Sequence, residues 1–181
     1  MRDRNVIGLA GHMGCGKDAV ALVLAEYGYE RVAFADAVRA EVDYARTACK
    51  APDSMPQEMV DDLWALEYDE VTRKPTTPRA RRILQWWGTE LRRSQLADYW
   101  VRRLEERLQP HGKYAIADVR FPNECEMVHR LGGEVWRIER PNTELYGIPE
   151  HVSESYTLGD KAIHNTGTLE DLRAIVRRMV E

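Results

Sequence analysis

Residues 11–18 read Gly-His-Met-Gly-Cys-Gly-Lys-Asp. The spacing matches G-x-x-x-x-G-K, a loop whose backbone N–H groups wrap a phosphate while the next helix's N-terminus and the lysine add positive charge. On that chemistry Gly11, His12, Met13, Gly14, Cys15 and Gly16 line the phosphates of ATP or GTP, and Lys17 reaches the β and γ phosphates. The position after the lysine, usually Ser or Thr, is Asp18. A carboxylate beside triphosphate oxygens is repulsive unless a metal or a basic group lies between them. Magnesium accepts carboxylate oxygen directly or through water, so Asp18 is a candidate metal residue. The plainer alternative is a glycine turn that packs a helix onto a strand, with Lys17 solvated.

Four further constellations carry chemistry. In YAIADVRFPNE, residues 114–124, Asp118 and Arg120 stand at the end of a strand candidate. An acidic residue there can hold magnesium or its waters, and an arginine two residues on can reach a transferring phosphoryl group; Asp118 could equally cap the next helix. In FADAVR, residues 34–39, Arg39 could bind an acceptor's phosphate or lie on a solvated face. In RRILQWWGTELRR, residues 81–93, Arg81, Arg82 and Gln85 share a helical face. Two guanidinium groups would grip a monophosphate while the amide meets a base edge, and Trp86 and Trp87 would stack on the base or fill a core. In AIHNTGTLEDL, residues 162–172, Asn165 and Gly167 follow a strand candidate, in a loop that borders the donor's adenine in many P-loop kinases; Asn-Thr-Gly is also an ordinary turn.

These residues need elements to hold them. Asn5 to Ala10 is a short apolar run suited to a buried parallel strand, and 17–27 has helical spacing that stops at Gly28. Strand candidates follow at 29–35, 113–119, 134–140 and 161–164, with helices at 36–49, 57–66, 79–87, 91–108, 122–131 and 168–180, the last capped by Thr168. Residues 50–78, with four prolines, read as irregular apart from the 57–66 piece. Strands alternating with helices predict an α/β, three-layer architecture: a parallel sheet covered on both faces, with ligands at the carboxyl ends of the strands.

At 181 residues, 44% hydrophobic and 31% charged, the chain suits one globular domain, and no apolar run reaches the roughly 20 residues of a membrane span. The charged N-terminus lacks a signal-peptide pattern, so cytoplasmic placement is expected, in the host if the source is a phage. Cys15, Cys49 and Cys125 are scattered and odd in number, without metal-ligand spacing. A net charge of −4 argues against a general nucleic-acid binder. The positive charge is mostly arginine, much of it between Arg73 and Arg107, and arginine's planar fork suits phosphate.

Taken in order, GHMGCGKD, FADAVR, RRILQWWGTELRR with Trp100 downstream, DVRFPNE, HVSE at 151–154 and HNTGTLEDL resemble the phage-type deoxynucleoside monophosphate kinases. An aspartate regularly follows the P-loop lysine in that family. The resemblance implies a P-loop kinase fold with a five-stranded parallel core at about 1–49 and 111–181, and a helical acceptor and lid region at about 50–110. It implies ATP as donor, Mg²⁺ at Asp18 and Asp118, a dNMP acceptor at Arg81, Arg82 and Gln85, and phosphoryl transfer near Asp118 and Arg120. Arg92, Arg93, Arg102 and Arg103 are the lid candidates for meeting developing charge. No nucleic acid or membrane partner is implied, and a homodimer is compatible. Arg39 departs from the family's frequent lysine, and 50–78 looks short, so base preference stays open. Two rival readings remain: a kinase of another small phosphorylated acceptor, like the animal-type phosphomevalonate kinases, and a P-loop switch without transfer.

Overall fold

A computed structural model of the chain describes residues 6–141 and 158–181. The five expected strands are present as β1 (Val6–Ala10), β2 (Glu30–Val32), β3 (Tyr114–Ile116), β4 (Glu134–Glu139) and β5 (Lys161–His164). They form one parallel sheet in the order β2-β3-β1-β4-β5. The strand entering the glycine loop is therefore central, and β1 is buried along its whole length. Buried strands of this kind need apolar side chains on both faces, which is why VIGLA is a run and not an alternation.

The helices are α1 (Lys17–Glu26), α2 (Phe34–Thr47), α3 (Gln57–Trp64), α4 (Pro78–Trp86), a π-helical segment (Trp87–Arg93), α5 (Tyr99–Glu105), α6 (Pro122–Arg130) and α7 (Leu169–Val180). Two compact units emerge, Met1–Phe34 with Arg107–Glu181, and Ala35–Glu106. Helix α2, counted with the sheet in the sequence reading, thus falls almost wholly in the helical unit. In the sheet unit, Ile7 and Leu9 of β1, Val20 and Leu24 of α1, Trp136 of β4 and Val176 of α7 share one buried cluster. In the helical unit Met59, Leu63, Ile83, Trp87 and Trp100 are buried.

Two element boundaries correct the expectation. The sequence predicts separate helices over 79–87 and 91–108, broken at Gly88 and Thr89; instead α4 runs without interruption into the π segment. The break comes later, at Ser94–Asp98, so no helix spans 91–108. Nothing in LRRSQLADYWVRRLEERL forbids a helix locally. The 50–78 stretch holds a small hairpin as well as α3: Tyr68 bridges Pro75, and Asp69 accepts from the Val71 and Thr72 N–H groups.

Candidate active site

The glycine loop leaves β1 and enters α1 with three left-handed glycines, at φ 127° for Gly11, 79° for Gly14 and 114° for Gly16. At Gly11 a side chain would also meet the Ile138 carbonyl oxygen at 2.3 Å, and at Gly16 the Asn165 amide at 2.9 Å. A side chain would be strained at either position. Gly16 is the N-cap of α1 and brings no side chain to close the helix start, which leaves that end suited to an anion. Lys17 folds back over the loop, its Nζ donating to the carbonyls of Gly11 at 2.6 Å and His12 at 2.7 Å. His12, Met13 and Gly14 are exposed, whereas Cys15 is buried in the core beneath them.

The loop is braced from behind. Asn165 is buried, and its side-chain amide donates to the Cys15 carbonyl at 2.8 Å while its backbone N–H donates to Glu139. Sequence reasoning placed Asn165 at the donor's base; the geometry puts its amide on the loop's backbone. Gly167 sits beside the box formed by Thr168 and Asp171, in which Thr168 accepts from the Asp171 N–H and donates its own N–H to the Asp171 carboxylate. That helix cap was legible in the sequence.

Asp18 is exposed and pairs with Arg31 of β2 at 3.6 Å. Arg31 went unnoticed in the sequence, because an arginine in a short strand has no spacing relation to the loop. Asp118 lies on the continuation of β3, where Ala117 N–H donates to Val32 and Val119 N–H donates to Leu9. This ladder sets Asp118 beside the strand that feeds the glycine loop. Its Oδ1 accepts from the Phe34 N–H at 2.8 Å, at the start of α2. The start of α6 is held by Glu124, buried, whose Oε2 accepts from the N–H groups of Arg120 at 2.7 Å and Phe121 at 3.1 Å. Glu124 thereby fixes the turn that carries Arg120. Lys17 and Asp18 open the helix that follows β1, and Asp118 and Arg120 lie in the segment that follows β3, the neighbouring strand. Asp18 and Asp118 offer the hard oxygen donors that magnesium prefers. Among the described residues no group of three or more His, Cys, Asp or Glu could hold an ion unaided, so an ion here would need phosphate and water ligands.

In the helical unit, Thr77 caps α4 by accepting from the Ala80 N–H at 3.1 Å, with Pro78 in the first turn. Ala80, Ile83 and Trp87 turn inward, which leaves Arg81, Arg82, Gln85 and Trp86 on the other faces. Arg82 is exposed, the other three half-buried, and no carboxylate pairs with Arg81 or Arg82 among the described residues. Trp86 meets Trp87 edge to face, with Trp87 the buried member. Arg39 pairs with Asp36 one turn back on α2. Arg92, a lid candidate by sequence, is bound to Glu41 at 2.8 Å. Arg103 pairs with Glu106 and Arg93 donates to the Ala97 carbonyl. His151 and Glu154 lie outside the described residues.

No family model matches the sequence. A protein of Acanthamoeba polyphaga mimivirus, provisionally named a deoxynucleotide monophosphate kinase, is 30% identical over 196 aligned positions, covering 92% of this chain and 91% of its own. A UPF0200 protein of Aeropyrum pernix is 26% identical over 97% of this chain and 92% of its own. Two solved structures align over most of the chain. Dephospho-CoA kinase from Campylobacter jejuni is 13% identical with a TM-score of 0.49, covering 98% of this chain and 96% of that one. TT1252 from Thermus thermophilus is 22% identical with a TM-score of 0.48, covering 97% and 96%. The fold assignment rests on the chain's own sheet order and on its loop between β1 and α1. With that loop, and with a relative at this identity over nearly its full length, the chain belongs to the deoxynucleotide monophosphate kinase family of P-loop phosphotransferases.

Proposed function

We propose that the protein transfers the γ-phosphate of ATP to deoxynucleoside monophosphates, giving dNDPs for DNA synthesis. The observation that carries the acceptor class is α4. Arg81 and Arg82, unmatched by any carboxylate among the described residues, share a surface with Gln85 and the half-buried Trp86. That set answers a phosphate and a base, and the mimivirus relative bears the name of such an enzyme.

On the donor side, the backbone of residues 11–16 and Lys17 hold the β and γ phosphates, and the α1 N-terminus adds its partial charge. Asp18 and Asp118 are the residues that would hold Mg²⁺, which when bound offsets phosphate charge. An oxygen of the acceptor's phosphate forms the new bond to the γ-phosphorus as the bond to ADP breaks, and Arg120 meets the charge on the transferring group. No protein nucleophile is needed, so positioning and charge neutralisation do the work. Arg31 holds Asp18 by an exposed ion pair that a competing cation can displace.

The test is incubation with Mg-ATP and, separately, each dNMP, each NMP and phosphomevalonate, with diphosphate products followed. Conversion of at least one dNMP well above background ATP hydrolysis is expected. Turnover of phosphomevalonate alone, or ATP hydrolysis alone, would put one of the two rival readings in its place.

A further inference from the structure

Glu41 of α2 is a largely covered carboxylate on which three donors converge. Its Oε2 accepts from Trp87 Nε1 at 3.1 Å and from Arg92 Nε at 2.8 Å, and its Oε1 accepts from the Tyr99 hydroxyl. The Arg92 guanidinium also lies over the Tyr99 ring, 5.1 Å from its centroid. The donors belong to the first and sixth residues of the π segment and the first residue of α5. A π turn is rare and less favourable than the α turn it replaces, and such turns cluster at functional sites. Here it follows α4 directly, so whatever fixes Trp87 and Arg92 also fixes the roll of α4 about its axis. Trp100 adds a second tie, donating to the Gly88 carbonyl at 2.7 Å.

We propose that Glu41 is a positioning residue for the acceptor: it clamps the π segment and so sets the orientation in which α4 presents Arg81, Arg82 and Gln85. This rests on the acceptor reading above. Arg92 then serves the clamp and not the transferring phosphoryl group. Burial first, and then the hydrogen bond to Glu41, raises the Tyr99 pKa, which keeps that hydroxyl a donor.

Glu41→Gln keeps the volume but turns an amide N–H toward one of the donors. It should raise the dNMP KM about tenfold or more, with KM for ATP unchanged and kcat within a few-fold; Glu41→Asp should recover part of the loss. Arg92→Gln should do the same, whereas loss of an arginine that meets transition-state charge lowers kcat by about 10³ or more. Equal shifts in both KM values, an unchanged dNMP KM, or a collapse of kcat in Arg92→Gln would overturn the proposal. Should Glu41→Gln fail to fold, Tyr99→Phe removes one donor and should give the same split at smaller size. Amide exchange gives a readout apart from transfer: in Glu41→Gln it should quicken at residues 81–93 and stay as in wild type along β1, β3 and β4. Uniform or unchanged exchange removes the clamp. If the wild-type protein converts no dNMP, the acceptor reading falls, and the exchange pattern alone decides whether Glu41 holds the segment.

Discussion

Lys17 is the residue whose removal should separate chemistry from folding. Its ammonium meets two loop carbonyls and is only half-buried, so Lys17→Ala should leave the thermal midpoint within a few degrees while lowering kcat by about 10² or more. A variant with near-wild-type turnover would take the loop out of the mechanism. Arg82→Ala makes the complementary case. Exposed and without a carboxylate partner among the described residues, it should cost under about 0.5 kcal/mol of stability yet raise the dNMP KM several-fold. Steady-state kinetics with ATP and dNMP varied in turn reads both outcomes. At this scale the sequence disclosed residues whose chemistry is tied to local spacing. It did not disclose Arg31, Glu41 or Glu124, since each acts on a partner chosen by the fold, and a glutamate in a helix is an ordinary surface residue until its neighbours are known.

The elements show where local preference is overruled. Residues 94–98 contain no glycine or proline, yet the helix stops there, while Gly88 sits inside a continuing one. Glu41 bonds to Trp87 and Arg92 of the π segment and to Tyr99 just beyond the break, so contacts distant in sequence bracket the place where local preference is overruled. Asn165 makes the same point for the glycine loop. Removing its amide leaves the Cys15 carbonyl without that donor in a buried place, so Asn165→Ala should destabilise the protein by about 1–3 kcal/mol and raise the ATP KM more than the dNMP KM. Urea titration and kinetics together check this; loss of stability with an unchanged ATP KM would make the brace purely structural. The Thr77 cap of α4 is simpler, and Thr77→Ala should cost about 1 kcal/mol with no change in register.

At the scale of the molecule, no helix among the described residues is long and apolar enough to cross a membrane. The pH response follows from aspartates held by donors. Burial works to raise the Asp160 pKa, but the Val135 N–H and His129 outweigh it, and the net shift is downward. Asp171 is lowered first by the Thr168 hydroxyl, and Asp69 first by the Thr72 N–H. A carboxylate whose folded pKa lies below its unfolded value adds stability that is present above the unfolded pKa and lost as pH falls through the folded one. Thermal midpoints should therefore hold between about pH 5 and 7 and drop below about pH 4. In Asp160→Asn that drop should be shallower, and an unaltered acid limb would show that Asp160 makes no such contribution.

By itself the sequence determined the α/β pattern, the five strands, the glycine loop and the helical placing of Arg81, Arg82 and Gln85, because each depends on residue type and on spacings of a few positions. Hydrophobic periodicity and backbone freedom act locally and survive in the linear text. Tertiary structure alone decided which polar groups meet across long separations: Asn165 with Cys15, Asp118 with Phe34, Glu41 with the π segment. Such pairings are chosen by the requirement that polar groups leaving water find partners, and that requirement can be evaluated only after the strands and helices have been brought side by side.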